Sequence, residues 1–398
     1  MRRVLVVGGG ASGLMAAIAA ARAGAQVTVL EQNERPAKKL CATGNGRCNL
    51  TNSDQNPQAY RGTHPEFCKS ALAQLDVAAT LRLFAELGIE TVNKNGYIYP
   101  RCEQAQAVAE VLCMEAAARK VKIKNNEKVV SLAKKEEAPC WQVTTQTWTY
   151  EAEAVILAGG SRASGIAGAD GSCYDLAAAL GHRLVTPLPA LTGLKCKGSF
   201  FGKWVGVRTH GRVTAYIEDK PQETQVGELQ LTEYGVSGIP VFQVSRAVIR
   251  ALAEGKKAAL CLDFLPEYGR KEAEELLDVR RERCPYKTDR QLLVGLFPDK
   301  LIAVLCDLAK KRGTALAHVC KNLHMEVTGG LPFARAQVCS GGVDTAQVNP
   351  DTMESRLHRG LYFAGELLDI DGMCGGYNLQ WAWSSGACAG RHAAEDGI

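Results

Sequence analysis

No two of the fifteen cysteines in this 398-residue chain are spaced C-x-x-C. That absence leaves zinc ribbons, iron–sulfur runs and thioredoxin-type motifs without support. The odd count argues against a closed disulfide framework, so the thiols are expected to be reduced and mostly buried. Charge of one sign is scarce too. The formal net charge is only +5, and basic doublets such as Lys38-Lys39, Lys134-Lys135 and Lys256-Lys257 are scattered. Each reads as a solvated face, and a nucleic-acid partner is not expected. Long apolar runs are missing as well. Arg2-Arg3 precede an apolar-rich stretch, but glycines, Arg22 and Gln26 break it short of the roughly 18 residues a membrane span requires. The expectation is therefore a cytoplasmic protein with no span and no signal peptide. Internal repeats and low-complexity segments are absent. What remains is 46% hydrophobic and 22% charged residues, an ordinary globular composition with room for two or three domains.

Val4–Glu31 carries the densest signal. Val4–Val7 is an aliphatic run suited to a buried parallel strand. Gly8, Gly10 and Gly13 follow as G-x-G-x-x-G, enclosing Ala11 and Ser12. Gly8 permits the tight turn, Gly10 admits a pyrophosphate close to the backbone, and Gly13 lets the next helix pack on the strand. Helix formers from Leu14 to Ala23 end at Gly24, and Gln26–Leu30 reads as a second strand. Glu31 falls at its end, about 20 residues beyond the glycines, where a carboxylate can accept hydrogen bonds from a ribose; Gln32 is beside it. The pattern predicts a dinucleotide site with a helix N-terminus directed at phosphate. By itself it does not choose between NAD and FAD.

Lys38–Asn52, KKLCATGNGRCNLTN, reads as a polar loop beside that site. Lys39 opens it, Thr43, Gly44, Asn45 and Gly46 present backbone N–H groups to a phosphate or ring edge, and Arg47 offers a fork for pyrophosphate oxygens. Cys48 and Asn49 complete the motif. An ordinary surface loop accounts for the same composition equally well. Pro65–Leu87 predicts one helix, Ile89–Tyr99 a hairpin around Asn95-Gly96, and Ala105–Arg119 another helix. Lys122–Leu132, Trp141–Thr147 and Thr149–Glu151 read as strands, with Val129 a backbone contact on the adenine side. Ala154–Gly160 is an apolar strand whose exit, Ala158-Gly159-Gly160, lets backbone pass close to a cofactor.

The character changes near Pro187–Pro189. Leu194–Ile217, Gly227–Thr232, Val241–Val244 and Ala258–Phe264 read as strands of a small barrel or sandwich, and Lys271–Arg312 as charged helix. Strands return at His324–Val327 and Ala336–Val343. Gly360–Glu366, GLYFAGE, is a strand ending in Gly365-Glu366. Gly375-Gly376-Tyr377-Asn378 then leads into a helix from Leu379 to Ala394, whose N-terminus is a second anion site. Packing by Trp381, Trp383 and the small residues between Ser384 and Ala389 is compatible with that role.

Taken in order, GGGASGLMAA at Gly8–Ala17, GNGRCNLTN at Gly44–Asn52, GHRLVTPLPAL at Gly181–Leu191, GVSGIP at Gly235–Pro240 and the run Gly341–Gly386 resemble the BaiN/YhiN-like (aminoacetone-oxidase-like) flavoproteins. The resemblance covers nearly the whole chain. Ile239, Cys339 and Ser340 depart from the usual pattern and leave the cofactor fingerprint untouched. The resemblance implies an α/β fold, with a glutathione-reductase-class, Rossmann-like FAD-binding domain at 1–190 and 330–398. A β-barrel at 191–265 and 313–329 and a helical insert at 266–312 interrupt it. FAD is the implied cofactor, with Glu31 on its AMP ribose and Gly365, Glu366, Gly375, Gly376, Tyr377 and Asn378 at its flavin end. Only one G-x-G-x-x-G follows a strand, so NAD(P)H, the implied electron donor, is expected to dock at the flavin face and not in a domain of its own. Family members similar to this chain are linked to reducing a conjugated C=C bond of 3-oxo-Δ4,6 bile-acid intermediates, which implies a hydrophobic or anionic small-molecule substrate. Other members are linked to oxidation of aminoacetone by O₂, and a non-catalytic flavin-binding protein is a third reading. Tyr377 is the first candidate for a proton donor, ahead of Tyr97 and Tyr99, although a structural role is the commoner fate of a tyrosine. Cys48 and Cys374 lack an identifiable redox partner, and no metal site is expected.

Overall fold

The structure is a computed structural model that describes residues 1–54, 56–135 and 140–395. The chain forms two units. One comprises Met1–Pro187 and the chain from Val338 onward, the other Leu188–Gln337.

The first unit is built on a five-stranded parallel sheet in the order Leu361–Phe363, Ala154–Leu157, Arg3–Val7, Gln26–Leu30, Lys122–Lys124. The central strand is covered on both sides, and so reads as an unbroken aliphatic run, with Val4, Leu5, Val6 and Val7 all buried. The first helix, Ala11–Arg22, packs face to face with the last, Tyr377–Ala394. Their backbones touch: a Cβ on Gly386 would overlap the Ser12 carbonyl oxygen, and one on Gly390 the Ala16 carbonyl oxygen. Small residues in the last helix thus serve the close crossing that the sequence reading assigned to packing.

Three expectations are corrected in this unit. Pro65–Leu87 is not one helix but a short 3-10 turn followed by helices Cys68–Gln74 and Val77–Glu86. Asp76 makes the break, its carboxylate accepting from the Ala79 N–H at 2.7 Å as an N-cap. Lys122–Leu132 is two strands in different sheets, Lys122–Lys124 and Val129–Lys134, separated at Asn126, whose φ is +58°. Lys38–Asn52 is only partly loop, since Lys38–Ala42 closes one helical turn and Thr51–Asn52 pairs with Tyr97–Ile98. The Asn95-Gly96 hairpin forms as expected, with both residues at positive φ.

The second unit is a closed six-stranded barrel of Leu194–Cys196, Gly235–Ser237, Lys220–Thr232, Arg208–Ile217, Ala258–Asp263 and Leu323–Gly330, in that order. Helices Ile239–Ala253, Arg270–Arg283 and Asp299–Arg312 share one hydrophobic core with it, in which Val213 and Leu260 of the barrel join Val244, Leu277 and Leu301 of the helices. Val241–Val244, expected as a strand, belongs to the first of these helices. Pro240 sits in its first turn, and Val241, Val244 and Val248 recur at helical spacing, all buried. A four-residue aliphatic window fits either period.

Candidate functional site

All the residues expected to hold the dinucleotide lie in the first unit, where backbone geometry brings most of them together. Gly8 has φ +101°, and a Cβ there would come within 2.7 Å of the Ala158 carbonyl oxygen and 2.9 Å of Gly159 Cα. Gly13 is tighter still, its Cβ overlapping the Gly8 carbonyl oxygen. Gly10, at the N-cap of the first helix, is the opposite case, for a Cβ there would meet nothing within 4 Å. The first turn of that helix carries no acidic residue. Free N–H groups beside open space at a helix N-terminus suit a phosphate. Gly160, at φ +72°, also faces open space, while Gly159 packs on Cys173.

Glu31 is buried, and its two carboxylate oxygens are divided. Oε2 accepts from the Gly9 N–H at 2.8 Å, and Oε1 accepts from the Asn33 backbone N–H at 2.8 Å and its Nδ2 at 2.7 Å. It therefore braces the glycine turn from behind, a role that spacing alone did not disclose. Gln32 donates to the Gly168 carbonyl at 2.6 Å. Val129 is buried and begins just after Asn126 and Glu127, whose N–H groups bond the Asn33 and Glu31 carbonyls, each at 2.9 Å.

Further along, Lys39 forms an ion pair of 2.5 Å with Glu366, whose other oxygen accepts from the Cys339 N–H at 3.1 Å. Gly365 lies against Ser12, so the turn near the end of the chain meets the turn near its start. Its N–H donates to Ser385 Oγ at 2.9 Å and its carbonyl accepts from the Trp381 indole at 3.0 Å. Thr43 bonds back to the Leu40 carbonyl, and Gly44 and Asn45 have left-handed backbones. Gly46 faces open space. Arg47 turns toward the hairpin, 5.5 Å from the Tyr99 ring centre and 3.8 Å from Glu103. Buried Cys48 has its thiol pushed up to about 12 by burial, which makes it an inert thiol. The Asn49 Oδ1 is buried with no partner among the described residues.

At the last helix, Gly375 and Gly376 both have positive φ. A Cβ on Gly376 would come within 2.5 Å of Thr51 backbone, and Asn52 Nδ2 donates to the Gly375 carbonyl at 2.8 Å. Asn378 ties the turn by exchanging two bonds with Gly372, each 2.8 Å. The Tyr377 hydroxyl donates to Asp54 at 3.4 Å. Burial, reinforced by that carboxylate, pushes the phenol up to about 12. Tyr97 lies beside Gly375, and burial raises its phenol as well. Cys374 is pushed up to about 11 by burial. Asn52, which closes the GRCNLTN motif, and Ser385, Asp54 and Tyr60 join these turns although no spacing in the sequence marks them.

FAD fits these residues. The open space at Gly10 and the acid-free helix starts at Ala11 and Tyr377 suit a ligand that carries phosphate and negative charge. Among the described residues no cluster of His, Cys, Asp and Glu suits a metal ion, and no helix is long and apolar enough to cross a membrane. All fifteen cysteines are free thiols, with only Cys102 exposed.

The HI0933-like protein Rossmann domain family matches residues 2–392. The chain belongs to the HI0933-like family. Within reach of that family, it is 45% identical over 99% of its length to the whole of a 3-dehydro-bile acid delta(4,6)-reductase from Clostridium scindens. It is 29% identical, over 97% of both chains, to a ribosomal RNA dihydrouridine synthase from Haemophilus influenzae. In fold it is similar to the 3-ketosteroid-delta4-(5alpha)-dehydrogenase of Rhodococcus jostii RHA1, with a TM-score of 0.50, 17% identity, and coverage of 99% of this chain and 97% of that one. The family resemblance drawn from the motifs is thereby borne out, as is the Rossmann-type α/β fold with its barrel.

Proposed function

We propose that this HI0933-like protein is an FAD-dependent oxidoreductase that reduces a C=C bond conjugated to a carbonyl in a 3-oxo-Δ4,6 bile-acid or steroid-like substrate, with NAD(P)H as the source of hydride. The observation that carries this reading is the 45% identity across the full length of the bile-acid reductase. FAD, when bound, supplies the hydride-transfer chemistry. The protein's own groups do the rest. The Gly8–Gly13 turn and first helix hold the pyrophosphate, and Glu31 fixes that turn while standing at the ribose end. Lys39 and Glu366 hold the middle of the cofactor, and the N–H groups entering the last helix stabilise negative charge at its ring end. Tyr377 gives its proton to the substrate carbon next to the one that takes hydride, so that one hydride and one proton saturate the bond.

A second reading has a ribosomal uridine as the substrate, because uracil also carries a C=C bond conjugated to a carbonyl. The 29% relative favours it. The second unit holds 23 Lys and Arg against 17 Asp and Glu, more than the whole chain's net of +5. That excess draws in anions of either kind. Anaerobic stopped-flow on the FAD-loaded protein separates the readings. Bleaching of the flavin by NAD(P)H and recovery on adding a 3-oxo-Δ4,6 bile acid is the expected result. Recovery only with an unmodified rRNA fragment favours the second reading, and bleaching by aminoacetone with peroxide release would sink both.

A further inference from the structure

Beside the Gly375–Gly376 turn the first unit carries a surface cleft of about 350 Å³, lined in part by Asp54, Tyr60, Leu72, Ala73, Val77 and Tyr377. Its lining mixes apolar side chains with polar and charged ones, Lys69 and Asp76 among them, as ligand pockets do. Leu72 and Val77 supply the wall. Tyr60 and Tyr377 meet edge to face, ring centres 5.8 Å apart. Burial raises both phenols, so both carry their protons and offer O–H donors at neutral pH. Asp54, at the exposed rim, accepts from the Tyr377 hydroxyl. The cleft and the glycine turn share two residues, Tyr377 and Asn52, the latter bonded to the Gly375 carbonyl. A molecule in the cleft therefore lies against the turn assigned to the ring end of the cofactor.

We propose that this cleft receives the carbonyl-bearing end of the substrate, with Tyr60 donating to the carbonyl oxygen and Asp54 acting as the positioning residue that aims the Tyr377 phenol. The proposal rests on the reductase reading for the identity of the ligand, a flat, largely apolar enone. As hydride arrives at one carbon, negative charge moves toward the carbonyl oxygen, where the Tyr60 hydroxyl stabilises it. The Tyr377 O–H bond breaks, a C–H bond forms at the neighbouring carbon, and water at the exposed Asp54 rim returns a proton to the phenolate.

The test uses the FAD-loaded protein and a saturated 3-oxo steroid, which binds but cannot be reduced. Ala73 is exposed at the cleft mouth, so Ala73→Trp fills the opening without disturbing the core. The dissociation constant of the saturated ketone, read from the flavin difference spectrum, is expected to rise at least about tenfold, from loss of its buried contacts. FAD content remains at the wild-type value. An unchanged dissociation constant overturns the cleft. Asp54→Ala removes the negative charge beside the phenol, so the alkaline limb of flavin reoxidation by the dienone moves to lower pH, by about one unit. A limb that stays in place overturns the positioning role. If the wild-type flavin is never reoxidised by a dienone, the reductase reading falls, while the Ala73→Trp titration still decides the cleft.

Discussion

The two helix starts that frame the cofactor site use glycine for different reasons. At the first, Gly10 faces open space, so the missing side chain leaves room for a ligand. At the last, Gly376 is pressed against Thr51 with φ +96°, so the missing side chain makes room for the protein itself. The same residue type thus marks an approach surface in one turn and a packing joint in the other. A Cβ added at the first should be read in ligand affinity, and one added at the second in stability.

Substitutions can break this contrast. Gly376→Ala is expected to do the most damage, combining a left-handed backbone with backbone overlap, at a cost of about 3 kcal/mol or more. Urea unfolding of the variant measures it, and a wild-type midpoint would refute the packing role. Glu31→Ala comes next. It leaves the Gly9 N–H and the Asn33 groups unpaired, costs about 2 kcal/mol, and weakens FAD retention as the turn loosens. Gly10→Ala should leave the unfolding free energy of the FAD-free protein within about 0.5 kcal/mol of wild type, while FAD affinity, titrated by flavin fluorescence, falls about tenfold as the methyl group enters the phosphate space. If both alanines at glycine acted alike on stability, the distinction would be lost.

The last effect concerns pH. His182 is buried, with Nε2 3.0 Å from Ser355 Oγ, and burial lowers it to about 4 from the ordinary 6.5. The unfolded chain takes up this proton as pH falls below 6.5 and the folded chain refuses it until about 4, so stability declines through that window and then levels off. Between pH 7 and pH 5 the His182→Gln variant should lose about 1–2 kcal/mol less than wild type. Parallel losses in the two proteins would show that other groups carry the acid sensitivity.

The Rossmann half was legible because its signals are local and redundant. Val4–Val7, the three glycines and Glu31 each point to one strand–turn–helix–strand unit, and the structure builds it to within three residues. Legibility failed where one short window admits two periods, as at Val241–Val244, or where a single polar side chain interrupts an apolar rhythm, as Asp76 does. Glu31 was found by its spacing, yet its hold on the Gly9 N–H depends on three-dimensional closure. Asp54 and Tyr60 carried no pattern because their meaning comes from Tyr377, more than 300 residues later in the chain. Tyr377 was picked out by GGYN, and only the structure reveals that its hydroxyl turns toward Asp54.

The crossing of Ser12 and Ala16 by Gly386 and Gly390 sets the order of events during synthesis. The first helix leaves the ribosome early, but the surface it must bury arrives only with the last helix, roughly 370 residues on. At about 5–20 residues per second that is a wait of roughly 20–75 s. For that interval the face of the first helix that meets the last has no native cover. The dinucleotide turn, the first part of the chain to be made, is thus among the last parts of the molecule to be completed.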